Sequence, residues 1–376
     1  MDPTRLLGPD SPLGVPSPYW FTVFFKVLGF TLHTIPMNLW FAGVLLAMLL
    51  RGRGEHARTC SNRLMNQMPI IIALGINFGI VPLLFIQVAY YKVFFPATIL
   101  MAWPWFSIIL MLIPAYYGVY FYAVGLRTGR TASVHRTAGW LGALLFIVIS
   151  FVFANGFSLM TNLAGWPALW QKTSVAGAPM GIALNVADPT LWPRWLMMFG
   201  LALTTTAAYL VVDAAFFAAK ESDAYRRWVS GFALKLYTAG AAWFALTGTW
   251  YTFGTWSPEM RQMMFGGSLA VLTVLTALGP GLPWLLILAQ RRKVTRLLAF
   301  ATGLAQVGVM ALNAISRQVL QNAELRRYLD VAAEQVNVQW SPLVVFLITF
   351  VVGAVVIGWM VVKAVAAAKL PASAKG

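Results

Sequence analysis

The chain is short of nearly everything from which a water-exposed surface or a catalytic centre is usually built. Only 10% of its 376 residues are charged, against about 25% in soluble domains, so this composition cannot make a solvated exterior. That excludes an ordinary soluble enzyme, a disordered tail and a secreted disulfide scaffold. The single cysteine, Cys60, excludes intrachain disulfides, a cysteine-based zinc site and CxxCH attachment of c-type haem within this chain. Eleven acids and three histidines leave few groups for proton or metal chemistry. No Walker loop, dinucleotide fingerprint, HExxH helix or nucleophile elbow falls on suitable secondary structure. Hydrolytic and nucleotide-driven chemistry therefore find no support.

What is present is hydrocarbon-compatible sequence. Hydrophobic residues make up 60% of the chain and the mean hydropathy is +0.74. A membrane helix needs roughly 20 apolar residues, and nine stretches qualify: 19–49, 67–93, 98–125, 138–163, 193–219, 228–254, 263–289, 295–316 and 342–367. The expected fold is all-α and polytopic, one membrane domain over 1–376. Within it, 19–163 forms a first four-helix bundle, 193–316 a second, and 342–367 a final transmembrane helix. The segment before Tyr19 carries Asp2, Asp10 and no basic n-region, so the first helix is not a signal peptide.

Basic residues set the orientation. Alternate loops hold 17 of the 27 Lys and Arg on one side and 8 on the other, with Lys26 and Lys235 inside spans. The richer side, which includes Arg51, Arg63, Arg127, Arg226, Arg291 and finally Lys363, Lys369 and Lys375, is expected to be cytoplasmic. The N-terminus is then outside, in the inner membrane of the cell. The net charge of +16 is a topology signal, and no nucleic-acid partner is implied. Two outer connections are long. Residues 164–192 are rich in Trp, Pro and Gly and are expected to lie against the membrane face or a partner. Residues 317–341 carry Glu324, Arg326, Arg327, Asp330 and Glu334 at helical spacing and predict a short amphipathic surface helix.

Ionisable groups inside a bilayer are costly and are functional candidates by default. Asp213 and Lys235 fall about six and seven residues from the inner ends of the fifth and sixth spans. A buried ion pair between these neighbours is the economical expectation, and a proton or ion path is the alternative. His33 is the one histidine inside a span. It shares a helical face with Lys26, Phe30, Met37 and Trp40 by three- and four-residue spacing. An imidazole there suits haem iron or a quinone hydrogen bond, with Lys26 two turns outward to meet an anionic propionate. Equally open is a core histidine bonded to a neighbouring helix, with Lys26 snorkelling to the interface.

Several strings in order resemble subunit I of the cytochrome bd quinol oxidase family. They are Gly75-Ile76-Asn77-Phe78-Gly79 after the His33 helix, Leu100-Met101-Ala102, and Ala154-Asn155-Gly156-Phe157. Further along come Asp188-Pro189 followed by Arg194-Trp195-Leu196-Met197, then Met260-Arg261-Gln262-Met263, and Ser316-Arg317-Gln318-Val319 as a decayed G-R-Q-P. The resemblance covers about residues 20–325. It implies that His33 holds the place of a haem-ligating histidine, and that Arg317 and Gln318 lie at the cofactor. It also implies losses. Met263 matches a haem-ligating methionine, but Met197 stands where its partner histidine would be. Ala314 replaces a ligating glutamate, and Thr98 and Phe106 replace two proton-delivering glutamates. The quinol-binding loop shrinks to about 255–262. Dioxygen reduction is thus not expected of this chain.

The resemblance implies an electron-transfer subunit of a respiratory complex, passing electrons between the quinone pool and partner cytochromes. It would hold at most one haem b or a quinone and no c-type haem. Other membrane subunits, lipid and periplasmic cytochromes would be its partners. The alternative is a haem-free structural anchor, in which Met197, Met263, Trp103 and Trp105 fill the former cavity.

Overall fold

The computed structural model describes residues 1–369; Lys375, counted above, lies outside them. Among these residues are nine helices long and apolar enough to cross a membrane: Tyr19–Leu50, Glu55–Ala89, Ala102–Arg127, Ser133–Thr161, Leu191–Phe216, Asp223–Gly254, Gly267–Ala289, Arg296–Leu325 and Trp340–Met360. The chain is an all-α polytopic membrane protein, as its composition required.

The helix ends differ from the hydropathy boundaries because helix formation does not stop where polarity begins. The second span starts at Glu55, twelve residues before its apolar stretch, and so carries Arg63 and Gln67 on helix. The eighth runs nine residues past Ser316, to Leu325. The amphipathic surface helix expected over 317–341 is therefore not separate. Its first half is the polar end of the eighth span, and only the short 3-10 turn Val331–Ala333 follows.

The first span is the centre of the bundle, packed against the second, fifth and eighth. Pro36 removes one backbone donor from it, and a π-helical turn, Leu39–Gly43, follows at once. Such turns realign the side chains around them, and here the turn seats Trp40 against Phe146 at 5.7 Å between ring centroids. The fifth and sixth spans touch backbone to backbone. A Cβ on Gly200 would sit 2.8 Å from the Phe244 nitrogen, and one on Gly240 would sit 2.9 Å from the Gly200 carbonyl. Only glycine permits that approach. The ninth span stands apart and meets the bundle through Phe346 and Phe350, both edge-on to Phe25.

Residues 164–190 fold back on the chain itself. A short helix, Trp166–Thr173, and a two-stranded ladder of Ser174–Val175 with Ala178–Pro179 form the connection. Trp166 is fully buried, its indole N–H donating to the Leu159 carbonyl at 2.8 Å. The N-terminal segment is strapped across the same face of the bundle. Val15 pairs with Val336, and Lys92 is clamped between Glu334, at 2.6 Å, and Asp10.

Candidate functional site

His33 lies on the first span, facing the second. Its Nδ1 is 2.8 Å from the Gly75 carbonyl oxygen. A carbonyl only accepts, so Nδ1 carries the proton and Nε2 presents its lone pair. No hydrogen bond reaches Nε2 among the described residues. The glycines of the 75–79 string explain the fit. A Cβ at Gly79 would fall 2.8 Å from His33 Cε1, and one at Gly75 would fall 2.5 Å from the Trp40 ring. The second span is thus notched to accept both rings. Substituting Gly79→Ala should push the imidazole off the Gly75 carbonyl. The expected result is a loss of about 10- to 100-fold in affinity for any metal bound there, the usual effect of losing the group that orients a ligating imidazole. Metal or haem titration of the variant checks it.

Two turns toward the N-terminal face, Lys26 neither snorkels nor meets a carboxylate. It is 8% exposed, donates to Gln318 Oε1 at 2.7 Å and Gln321 Oε1 at 2.8 Å, and lies over the Tyr90 ring at 4.2 Å. The network continues outward. Gln318 Nε2 donates to the Tyr90 hydroxyl, Tyr90 donates to Asn322 Oδ1 at 2.6 Å, and Asn322 Nδ2 donates to the Tyr19 hydroxyl. Burial without partners would be prohibitive for these groups, and mutual hydrogen bonding answers it except at Gln321 Nε2, which is buried without a partner among the described residues. Gln318 is therefore a support for Lys26, placed on the polar extension of the eighth span.

Arg317 is different. Its guanidinium is sandwiched between the rings of Phe30, at 4.7 Å, and Phe157, at 4.8 Å. These cation–π contacts offset part of the desolvation, yet no hydrogen-bond acceptor or carboxylate reaches it among the described residues. Phe30 is one turn from His33 on the same helix, so the first, fourth and eighth spans converge on a cation without an acceptor, one turn along the first span from an imidazole whose Nε2 is free. A neighbouring arginine, Arg194, is fully engaged. It pairs with Glu324 and donates to the Tyr251 hydroxyl at 2.8 Å.

Met197 and Met263 come together in one apolar cluster around Tyr251, Met264 and Leu320. Met263 sits on a short helix, Pro258–Met264, ahead of the seventh span. Trp105 packs against Phe94 and Phe153, but Trp103 is 65% exposed and fills no internal space. Ala314 is buried, and Phe106 is exposed.

The expected pairing of Asp213 with Lys235 is wrong. Arg63 holds Asp213 through two contacts, Nε to Oδ2 at 2.7 Å and Nη2 to Oδ1 at 2.8 Å, and Gln67 adds a third at 2.8 Å. Asp213 lies three residues from the end of its helix and Lys235 twelve from the start of the next. At 1.5 Å per residue that is about 13 Å out of register. Lys235 is also exposed. Arg63 escaped the sequence reading because hydropathy assigned it to a loop.

No protein-family model and no curated protein matches the chain. A solved structure described as bd oxidase from Geobacillus thermodenitrificans does match in fold. The TM-score is 0.58 at 14% identity, covering 98% of this chain and 99% of that one. Near-complete coverage in both directions means that the likeness extends over the whole helix arrangement. The chain is a multi-pass membrane protein with a bd-oxidase-like fold.

Proposed function

We propose that the chain is an integral membrane subunit of a respiratory electron-transfer complex, working between the quinone pool and partner cytochromes, with one b-type haem held by His33. One observation carries this reading. The Gly75 carbonyl fixes the His33 tautomer, leaving Nε2 free to hold a haem iron. A bound haem supplies one-electron chemistry; the residues supply its place and its field. Phe30, Trp40 and Phe157 provide dry walls. Arg317, with no acceptor of its own, is the cation open to a propionate, whereas Lys26 is already engaged by Gln318 and Gln321. The donor set fits a single histidine-ligated haem. It does not fit a second one at Met197 and Met263, where no imidazole joins the two thioethers. Nor does it fit oxygen reduction, since Ala314, Thr98 and Phe106 offer neither ligand nor proton.

A haem-free structural anchor is the second reading, and the packing of Met197 and Met263 into one apolar cluster favours it. Haem extraction and typing separates the two. A b-type signal lost in His33→Ala and kept in Met197→Ala supports the first, and a colourless complex without quinone supports the second.

The excess of basic residues on the face opposite the N-terminus supports an outside N-terminus in the inner membrane. With Cys60 replaced by Ser, a membrane-impermeant thiol reagent on intact cells is expected to label Lys172→Cys and to spare Arg291→Cys. The reverse pattern would invert the topology.

A further inference from the structure

Sulfur is concentrated at one end of the second bundle. Three of the seven residues in the helix Pro258–Met264 are methionine. Met260, Met263 and Met264 stand three and four residues apart, so their thioethers share one face of that helix. Met197, from the fifth span, packs into the same cluster, together with Tyr251, Trp256 and Leu320. Four of the chain's sixteen methionines therefore meet in one place. Leucine would fill an apolar contact as well and lose less rotamer freedom on being ordered. What methionine adds is a soft, polarisable donor atom.

Three features around these sulfurs favour a small cation. A cavity of about 180 Å³ reaches Met263 between Asn322, Arg326 and Asp330, and the last two of these are exposed, so an ion has a way in from the face that bears the N-terminus. Glu324 stands one turn beyond Leu320 on the eighth span. One of its oxygens is taken by Arg194, and the other, Oε2, is buried with no partner among the described residues. A carboxylate oxygen left so is costly, and a cation nearby offsets that cost. The rings of Tyr251 and Trp256, 5.4 Å apart, add the attraction of aromatic faces for positive charge.

We infer that Met197, Met260, Met263 and Met264 form a thioether site for a monovalent soft metal ion, Cu(I). The ligand chemistry selects that ion. Neutral sulfur holds soft cations and holds hard ones poorly, whereas Zn(II) takes thiolate, imidazole or carboxylate, and the cluster contains neither cysteine nor histidine. A thioether has no proton to lose, so the site needs no deprotonation to bind. It is independent of the haem at His33, and the absence of an imidazole that makes the two thioethers poor haem ligands is what suits them to Cu(I).

The test titrates the full-length chain in detergent with Cu(I), under reducing and oxygen-free conditions, against a chromophoric Cu(I) chelator. The expected result is one Cu(I) per chain, not displaced by excess Zn(II), with sulfur and no nitrogen around the metal by X-ray absorption. Met263→Leu removes a ligand and should weaken binding at least about tenfold, the lower end of the effect of outer-shell changes. Met260→Leu with Met264→Leu should weaken it further. Leucine nearly conserves the volume of methionine, and circular dichroism reports whether the helices remain. Met111→Leu in the third span, Cys60→Ser and His33→Ala should each leave the affinity unchanged, and the last of these keeps this result separate from that of the haem. No stoichiometric binding, nitrogen at the metal, loss of binding in Cys60→Ser or His33→Ala, or full affinity in the folded methionine variants would overturn the assignment.

Discussion

If His33 holds a b-type haem as proposed, replacing it by alanine is expected to strip haem from the protein while leaving the helix bundle folded. The imidazole is the donor that would ligate the iron, and its one hydrogen bond among the described residues is to the Gly75 carbonyl, so its removal orphans a single backbone acceptor. Met197→Ala and Met263→Ala should leave the spectrum unchanged, since both thioethers pack in an apolar cluster with Tyr251 and Leu320. Arg317→Leu should give an intermediate result. His33 would still be there to ligate the iron, but the propionates of the proposed haem would lose their cation, so haem should be retained more weakly. Visible absorption against protein concentration, with circular dichroism for helix content, checks all four. A haem signal that survives His33→Ala would move the cofactor elsewhere.

The second large effect belongs to stability. Asp213→Ala leaves the Arg63 guanidinium without its two-point partner, facing only Glu221 at 3.3 Å. Asp213 is 3% exposed, and removing one member of a buried charge pair costs about 3–5 kcal/mol. The lower end applies here, because Arg63 keeps Glu221 and some contact with solvent. Lys235→Met, by contrast, breaks no hydrogen bond or ion pair among the described residues and should cost no stability. Thermal unfolding in detergent distinguishes the two. Equal losses in both variants would restore the Asp213–Lys235 pairing that the geometry rejects.

These contrasts show which parts of the molecule were legible in the sequence. Nine apolar stretches and their alternating basic loops follow from solvent physics alone, and the helices are where hydropathy put them. Hydropathy failed at the polar ends. Arg63 at one end of the bundle, and Gln318, Gln321, Asn322 and Glu324 at the other, fall outside the apolar stretches, where hydropathy predicts loop or surface helix. They are inward-facing turns of spans two and eight. A polar run directly after an apolar one lowers the window average whether its residues face water or one another. Which of the two holds depends on tertiary contacts that no single segment encodes.

Within the site, the face shared by Lys26, Phe30 and His33 was visible from helical spacing. Lys26's actual partners, on a helix nearly 300 residues away, were not. Gly75 and Gly79 carry the resemblance in the sequence, but their physical role is set by His33 and Trp40, which lie in the notches the two glycines leave. Pairing Asp213 with Lys235 was reasonable for adjacent antiparallel helices. It failed because the two residues sit at different heights, a quantity that depends on helix ends and not on spacing within a span.

The most direct test of the proposed role is a reduced-minus-oxidised absorption spectrum of the purified protein, followed by solvent extraction and typing of its haem. Extraction separates non-covalent b-type haem from any covalently attached haem of a partner cytochrome. One extractable, redox-active haem b per copy of this chain is the predicted result. A colourless protein that carries neither haem b nor quinone would contradict it and leave a structural anchor.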